Sequence, residues 1–132
     1  MDFTYKINPS LTVAEIIRVL ENSGIRRPTA DADRIRRMFS APCLVVSAWD
    51  GERLIGVARS LIDYAYCGYL SDLAVDREYQ NRGVGSELVR RTQAIAGEEV
   101  SLILLSAPEA LAYYPKIGFE PAGNAFLVKR KR

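Results

Sequence analysis

The sequence predicts an α/β protein: a mixed β-sheet carrying helices on both of its faces. Three observations point there. Apolar runs of strand length recur, at 43–49 and 100–105 among others, as for strands covered on both sides. Between such runs stand segments with the 3.6-residue apolar period of amphipathic helices. One strand, ending in Leu73-Ala74-Val75, passes through a polar loop and the turn Gly83-Val84-Gly85 directly into such a helix.

The elements follow in order. Residues 3–7 read as a short first strand, broken by Asn8-Pro9-Ser10. Thr12 with Glu15 forms a capping box, and Leu11 is placed to staple to Ile16. Val13, Ile16, Ile17 and Leu20 keep to one helical face, and Gly24 is a natural stop. After Arg26-Arg27-Pro28, a second helix is expected from Thr29 or Asp31, turning Ile35, Met38 and Phe39 inward and ending before Pro42. The run 43–49 is a central strand, Asp50-Gly51 marks a hairpin, and 53–62 return. Asp63-Tyr64-Ala65-Tyr66-Cys67-Gly68 then connects to a strand over 69–75. The helix after the glycine turn presents Val84, Leu88, Val89, Thr92, Ile95 and Ala96 on one side, and Gly97-Glu98-Glu99 ends it. A buried strand is expected over 100–105. Ser106-Ala107-Pro108 opens a short helix with Pro108 near its first position, closed by Gly118. Residues 125–129 read as a last strand. Neither repeat nor linker interrupts the 132 residues, so 1–132 reads as a single domain.

Composition narrows the function. The apolar fraction of 48% and charged fraction of 26% are those of a soluble globular protein. No run of about 18 apolar residues and no charged-then-apolar leader occurs, so no membrane partner and a cytoplasmic location are expected. Lys129-Arg130-Lys131-Arg132 supplies four positive charges, and the rest of the chain carries 14 basic against 16 acidic residues. A basic tail on a faintly acidic body is a poor footprint for nucleic acid, and the tail reads as a solvated strand end. With no histidine, Ser-His-Asp and Cys-His catalysis and the common zinc sites are excluded, and no metal is expected. Proton transfer then falls to carboxylates, tyrosine, a perturbed lysine or cysteine, or water. Cys43 and Cys67 suggest neither a disulfide framework nor a zinc spacing.

The glycine turn is a ready phosphate site, because a helix N-terminus offers unpaired N–H groups and the positive end of a dipole. A dinucleotide fingerprint requires a third glycine where Leu88 stands, and a P-loop requires Gly-Lys-Ser/Thr, which is absent. An ordinary tight turn is the plain alternative. The pattern present is Gln-x-x-Gly-x-Gly, from Gln80 to Gly85, behind a strand ending in Ala-Val. It resembles the acyl-CoA motif of the GNAT superfamily of N-acetyltransferases. Downstream, Ala112-Tyr113-Tyr114-Pro115-Lys116-Ile117-Gly118-Phe119-Glu120 resembles that family's Tyr-x-x-x-Gly-Phe segment.

This resemblance implies a GNAT-like fold whose fourth and fifth strands splay apart around the pantetheine arm of acetyl-CoA. It implies that the pyrophosphate sits on Asn81, Arg82, Gly83, Val84, Gly85 and Ser86, beside Gln80, and that the pantetheine pairs with the main chain of Leu73, Ala74 and Val75. It implies Tyr114, four residues before Gly118, as the acid that protonates the departing thiolate. Family bases stand at positions matching Tyr69 and Ser71, neither of which is a carboxylate. Asp72 points to the opposite strand face and suits an arginine partner as well as a base. Tyr64, Tyr66 and Tyr69, with Trp49 and Arg59, form an acceptor pocket or simply fill a sheet. The implied activity is acetyl transfer to a primary amine of a small molecule. Protein lysine or N-terminal acetylation, and a non-catalytic acyl-CoA-binding module, are the alternatives. The apolar Phe126-Leu127-Val128 edge is suited to pairing with a second copy as a homodimer.

Overall fold

The computed structural model describes residues 2–132. The chain runs β1 (Thr4–Ile7), α1 (Val13–Ser23), α2 (Ala32–Ser40), β2 (Leu44–Asp50), β3 (Arg53–Ile62), β4 (Cys67–Val75), α3 (Val84–Ala96), β5 (Ser101–Leu104) and α4 (Tyr113–Lys116). Single 3₁₀ turns stand at Arg77–Tyr79 and Pro108–Ala110. The sheet order is β1-β2-β3-β4-β5. β1 to β4 pair antiparallel, and β5 joins β4 in parallel after the α3 crossover.

Local chemistry sets the helix ends. Thr12 Oγ1 accepts from the Glu15 N–H at 3.2 Å, and Gly24 closes α1 with φ +85°. Asp31 Oδ1 accepts from the Arg34 N–H at 3.0 Å and starts α2. Ile16, Val19, Leu20 and Ile35 bury one sheet face with Trp49, Leu54, Val57 and Ala74. Val84, Leu88 and Val89 of α3 bury the other against Val46, Ile55, Ala58 and Leu70. The helices therefore cover both faces. Among the described residues, no helix is long and apolar enough to cross a membrane.

Two strands part at the centre of this sheet. β4 pairs with β5 only from Cys67↔Ser101 to Leu70↔Leu104. On its other side the register steps from Ser60↔Leu70 to Arg59↔Asp72, which leaves Ser71 as an extra residue. Such a bulge bends its strand and ends pairing. Beyond it, β4 leaves β5 and exposes an edge.

A buried ion cluster holds the bulge. Asp72 is 0% exposed, and Arg27 Nε and Arg59 Nε each donate to it at 2.5 Å. Arg27 Nη2 also donates to the Ser71 carbonyl at 2.7 Å, and Arg59 Nη2 to Ser71 Oγ at 3.2 Å. Both carboxylate oxygens being taken, Asp72 is the arginine partner of the two roles open to it.

Two expectations are corrected. The stretch 125–129 forms no strand: Phe126 is 98% and Val128 97% exposed, and the sheet ends at β5. Apolar β-formers need a pleated, half-buried surface to lie on, and none is offered there. The single helix expected after Pro108 is two pieces, because a proline ring clashes with the carbonyl four residues back, here Leu111. The chain restarts as α4 with Pro115 inside the first turn.

Removing one member of a buried ion pair strands the others without a counter-charge. Asp72→Ala should lower stability by about 3–5 kcal/mol in urea unfolding. A loss below about 1 kcal/mol, the scale of a surface pair, would show that the cluster does not hold the bulge.

Candidate active site

The open edge of β4 is one wall of the site. The Asp76 N–H donates to the Ile55 carbonyl at 2.8 Å. Ladder alternation then turns the main chain of Ala74 and Asp72 toward β3, and that of Leu73 and Val75 toward the open edge. Gln80 Nε2 takes the Val75 carbonyl at 2.8 Å and reaches the Ser23 carbonyl at 3.3 Å, pinning the loop. The N–H groups of Leu73 and Val75 and the carbonyl of Leu73 remain to face a ligand.

The start of α3 is the second wall. Asn81 and Gly83 are left-handed, with φ +64° and +81°, a conformation that costs an L side chain and suits glycine. Gly83 caps α3 without a side-chain bond, and the first helical bond runs from the Glu87 N–H to the Gly83 carbonyl at 3.0 Å. The N–H groups of Val84, Gly85 and Ser86 are thus left without helical partners at the positive end of the dipole. Arg90 and Arg91 hold the Glu87 carboxyl down at about 2, so it is ionised at neutral pH.

These walls enclose one cleft in two connected parts. The part at the helix end holds about 410 Å³ and is lined by Gly83, Val84, Gly85, Ser86, Tyr113 and Tyr114, among others. The part between the open edge of β4 and the end of β5 holds about 790 Å³. Leu73, Val75, Gln80, Glu109 and Tyr114 line both.

α4 places the two tyrosines differently. The Tyr113 hydroxyl lies 3.4 Å from Ser86 Oγ, and 2.9 Å from where a Cβ on Gly85 would stand. Tyr114 is edge-on to Tyr113 at 5.3 Å and to Phe119 at 5.6 Å between ring centroids. It borders both parts of the cleft, whereas Tyr113 borders only the helix end. Burial pushes the Tyr114 phenol up, Tyr113 adds to the rise, and Arg27 pulls the other way.

The cleft brings together Leu73, Val75, Gln80, Asn81, Gly83, Val84, Gly85, Ser86 and Tyr114 of the residues singled out in the sequence. Ala74 is not on it: its side chain is buried on the α1 face. Arg82 is not on it either, and its guanidinium lies 5.4 Å from the Tyr79 ring centre. The aromatic cluster is corrected in part: Tyr69 and Arg59 line one hollow beside this cleft, and the other three residues do not. Trp49 is buried in the core, with Nε1 donating to Ser47 Oγ at 2.8 Å. Tyr64 and Tyr66 are exposed on the loop before β4, at the far end of that strand from its open edge. Cys43 and Cys67 are free thiols off the cleft. Sequence reasoning does not single out Glu109, which among the described residues is the only acidic side chain lining either part. Its sequence signal is faint, an acidic residue after Pro108 outside either motif.

Known proteins share this fold. The model of the acetyltransferase (GNAT) family matches residues 13–119. The chain is 36% identical over 78 residues to GCN5-related N-acetyltransferase 2, chloroplastic, of Arabidopsis thaliana, a match covering 54% of this chain and 30% of that protein. It is 30% identical over 132 residues to an uncharacterised N-acetyltransferase of Prochlorococcus marinus, covering 92% of this chain and 71% of that one. The chain thus spans under a third of the length of the plant relative. Among solved structures, a probable acetyltransferase of meticillin-resistant Staphylococcus aureus superposes with a TM-score of 0.79 at 21% identity, over 96% of this chain and 100% of that one. An aminoglycoside acetyltransferase from an uncultured soil metagenomic sample, in complex with sisomicin, superposes at 0.68 and 19% identity, over 98% and 97%. At such identities the likeness of the structures is one of fold.

Proposed function

The chain belongs to the acetyltransferase (GNAT) family, and from that premise we propose that it transfers the acetyl group of acetyl-CoA to a primary amine, residues 1–132 acting as one unit. The observation that carries this reading is a single cleft bordered by the free N–H groups of α3, the open edge of β4 and Tyr114. The N–H groups of Val84, Gly85 and Ser86 suit the pyrophosphate, and Gly85 leaves room for it to approach the main chain. Leu73 and Val75 offer their main chain to the pantetheine amides as an added strand, and a β4 N–H can polarise the thioester carbonyl. Bound acetyl-CoA would supply the acetyl thioester and a thiolate leaving group.

This chain's side chains then handle two protons. Tyr114 holds one against the departing sulfur. A thiol has a pKa of about 8.5, so a phenol raised above its ordinary 10.0 stays protonated and donates as charge develops on the sulfur. Glu109 takes the proton of the attacking amine. Neither cysteine borders the cleft, and burial pushes the Cys43 thiol up, which favours direct attack over an acetylated thiol. A small-molecule amine suits the volume of about 790 Å³ better than a peptide groove does. The aminoglycoside acetyltransferase of like fold supports that choice. The position of Tyr114 on both parts of the cleft argues for turnover rather than a silent acyl-CoA sensor.

Gly85→Val would drive a side chain into the Tyr113 hydroxyl and the cleft. It should abolish acetyl-CoA binding in calorimetry while circular dichroism stays native; unchanged affinity in the folded variant would sink the donor site. Tyr114→Phe should keep acetyl-CoA affinity and slow single-turnover transfer by about 10²–10⁴, and Tyr113→Phe should do much less. An acid is lost as pH rises through its pKa, and burial raises that of Tyr114 above 10.0. The alkaline limb of kcat should therefore lie above pH 10 and vanish in Tyr114→Phe. A limb that persists in the variant would assign it to another group.

A further inference from the structure

Beside the main cleft lies a second hollow of about 620 Å³, where α2 and the loop after α1 approach the bulge of β4. Six of its lining residues are arginines. Arg26 and Arg27 come from that loop, Arg34 from α2, Arg59 from β3, and Arg130 and Arg132 from the C-terminal stretch. Among the described residues, no Asp or Glu side chain lines it. Arg27 and Arg59 are committed to Asp72 beneath. The other four form no ion pair with an Asp or Glu side chain among the described residues. Arg34 Nη2 donates to a main-chain oxygen of Arg132 at 3.0 Å, which folds the C-terminal stretch back against α2. Only Arg130 and Arg132 of the basic tail line the hollow; Lys129 and Lys131 do not. The tail is exposed, but half of its charge is gathered at one place rather than spread in solvent.

Gathering six guanidinium groups around a single acidic side chain, Asp72, leaves a positive excess whose self-repulsion an entering anion relieves. Planar guanidiniums match phosphate and carboxylate oxygens with paired N–H donors. The position of the hollow says which ligand. It shares Arg26, Arg27, Ser71 and Leu105 with the larger part of the main cleft, and it borders β4 at Tyr69 and Ser71. The anion-binding start of α3 lies beyond the other end of the open edge, past Leu73 and Val75. A molecule anchored in the arginines would therefore extend over Ser71 toward Glu109 and Tyr114, opposite the donor.

We propose that this hollow is the anion-recognition part of the acceptor site, and that the amine acetylated by this protein carries a phosphate or a carboxylate. The inference rests on the acetyl-transfer reading above and adds the class of acceptor.

The test compares three short amines at low salt and saturating acetyl-CoA: ethanolamine, O-phosphoethanolamine and β-alanine. At least one anionic amine should exceed ethanolamine in kcat/KM by about tenfold, the discrimination that one charge-assisted hydrogen bond supplies. Which of the two leads separates phosphate from carboxylate. Arg26 and Arg130 are exposed and outside the Asp72 cluster, so the double variant Arg26→Gln/Arg130→Gln should fold, close that gap and keep its acetyl-CoA affinity. Equal or better use of ethanolamine, or an unchanged gap in the variant, overturns the proposal. Loss of acetyl-CoA affinity in the variant overturns it too, by moving the arginines to the donor side. Calorimetric titration with O-phosphoethanolamine and β-alanine separates the two readings. Binding that the double variant loses, with no turnover of any amine, upholds the anion site and sinks the enzyme reading. Turnover of ethanolamine with no binding of either anion upholds the enzyme and sinks this inference.

Discussion

The carboxylate of Asp72, buried between Arg27 and Arg59, is the contact on which the rest of this structure turns. Two cations on one carboxylate stabilise more than charge. Their remaining N–H groups grip Ser71, the residue with no opposite number on β3, by its carbonyl and its hydroxyl. A bulged residue left alone would slip back into register or fray. Here it is clamped from α1's loop on one side and from β3 on the other. The bend that follows separates β4 from β5, and that separation is the cleft.

The same strand thereby serves two purposes at once. Its buried positions, Leu70 and Ala74, pack under helices on opposite faces of the sheet. Its free edge, at Leu73 and Val75, leaves main-chain donors and an acceptor without a strand partner. The loop to α3 is tied down before it reaches the glycines. Gln80 holds carbonyls of Val75 and Ser23, and Asp76 accepts from the Glu78 N–H, Asn22 and Arg53. Burial works against the charge on Asp76, and those donors more than offset it, holding its carboxyl below the usual range. The N–H groups at the start of α3 are thus held in place by the protein itself, and on the acetyl-transfer reading proposed above that is the preorganisation charge stabilisation requires.

An excess of positive charge is the other consequence of the clamp. One acidic side chain answers two arginines, and Arg26, Arg34, Arg130 and Arg132 gather around them with no Asp or Glu side chain paired to them among the described residues. The cluster that opens the sheet also makes one end of the opening cationic. Shape and charge of the site come from a single local arrangement.

What the sequence determined by itself was local in cause. Thr12, Gly24 and Asp31 act within one helical turn, so the ends of α1 and α2 are legible from neighbours alone. The strand, glycine turn and α3 lie within about thirty contiguous residues, and the Tyr114 segment within ten, so both walls of the cleft are written in order. What tertiary structure decided depends on residues far apart in the chain. Arg27 meets Asp72 across 45 positions, and Arg34 meets Arg132 across 98. No period or spacing records such pairings, because either partner alone reads as an ordinary surface charge. Whether Phe126 and Val128 make a strand depended on an edge to lie against, and whether Trp49 lines a pocket or fills a core depended on which helices covered it. Backbone preferences act on neighbours and are read from them; burial and charge pairing act through space, and only the folded chain assigns them.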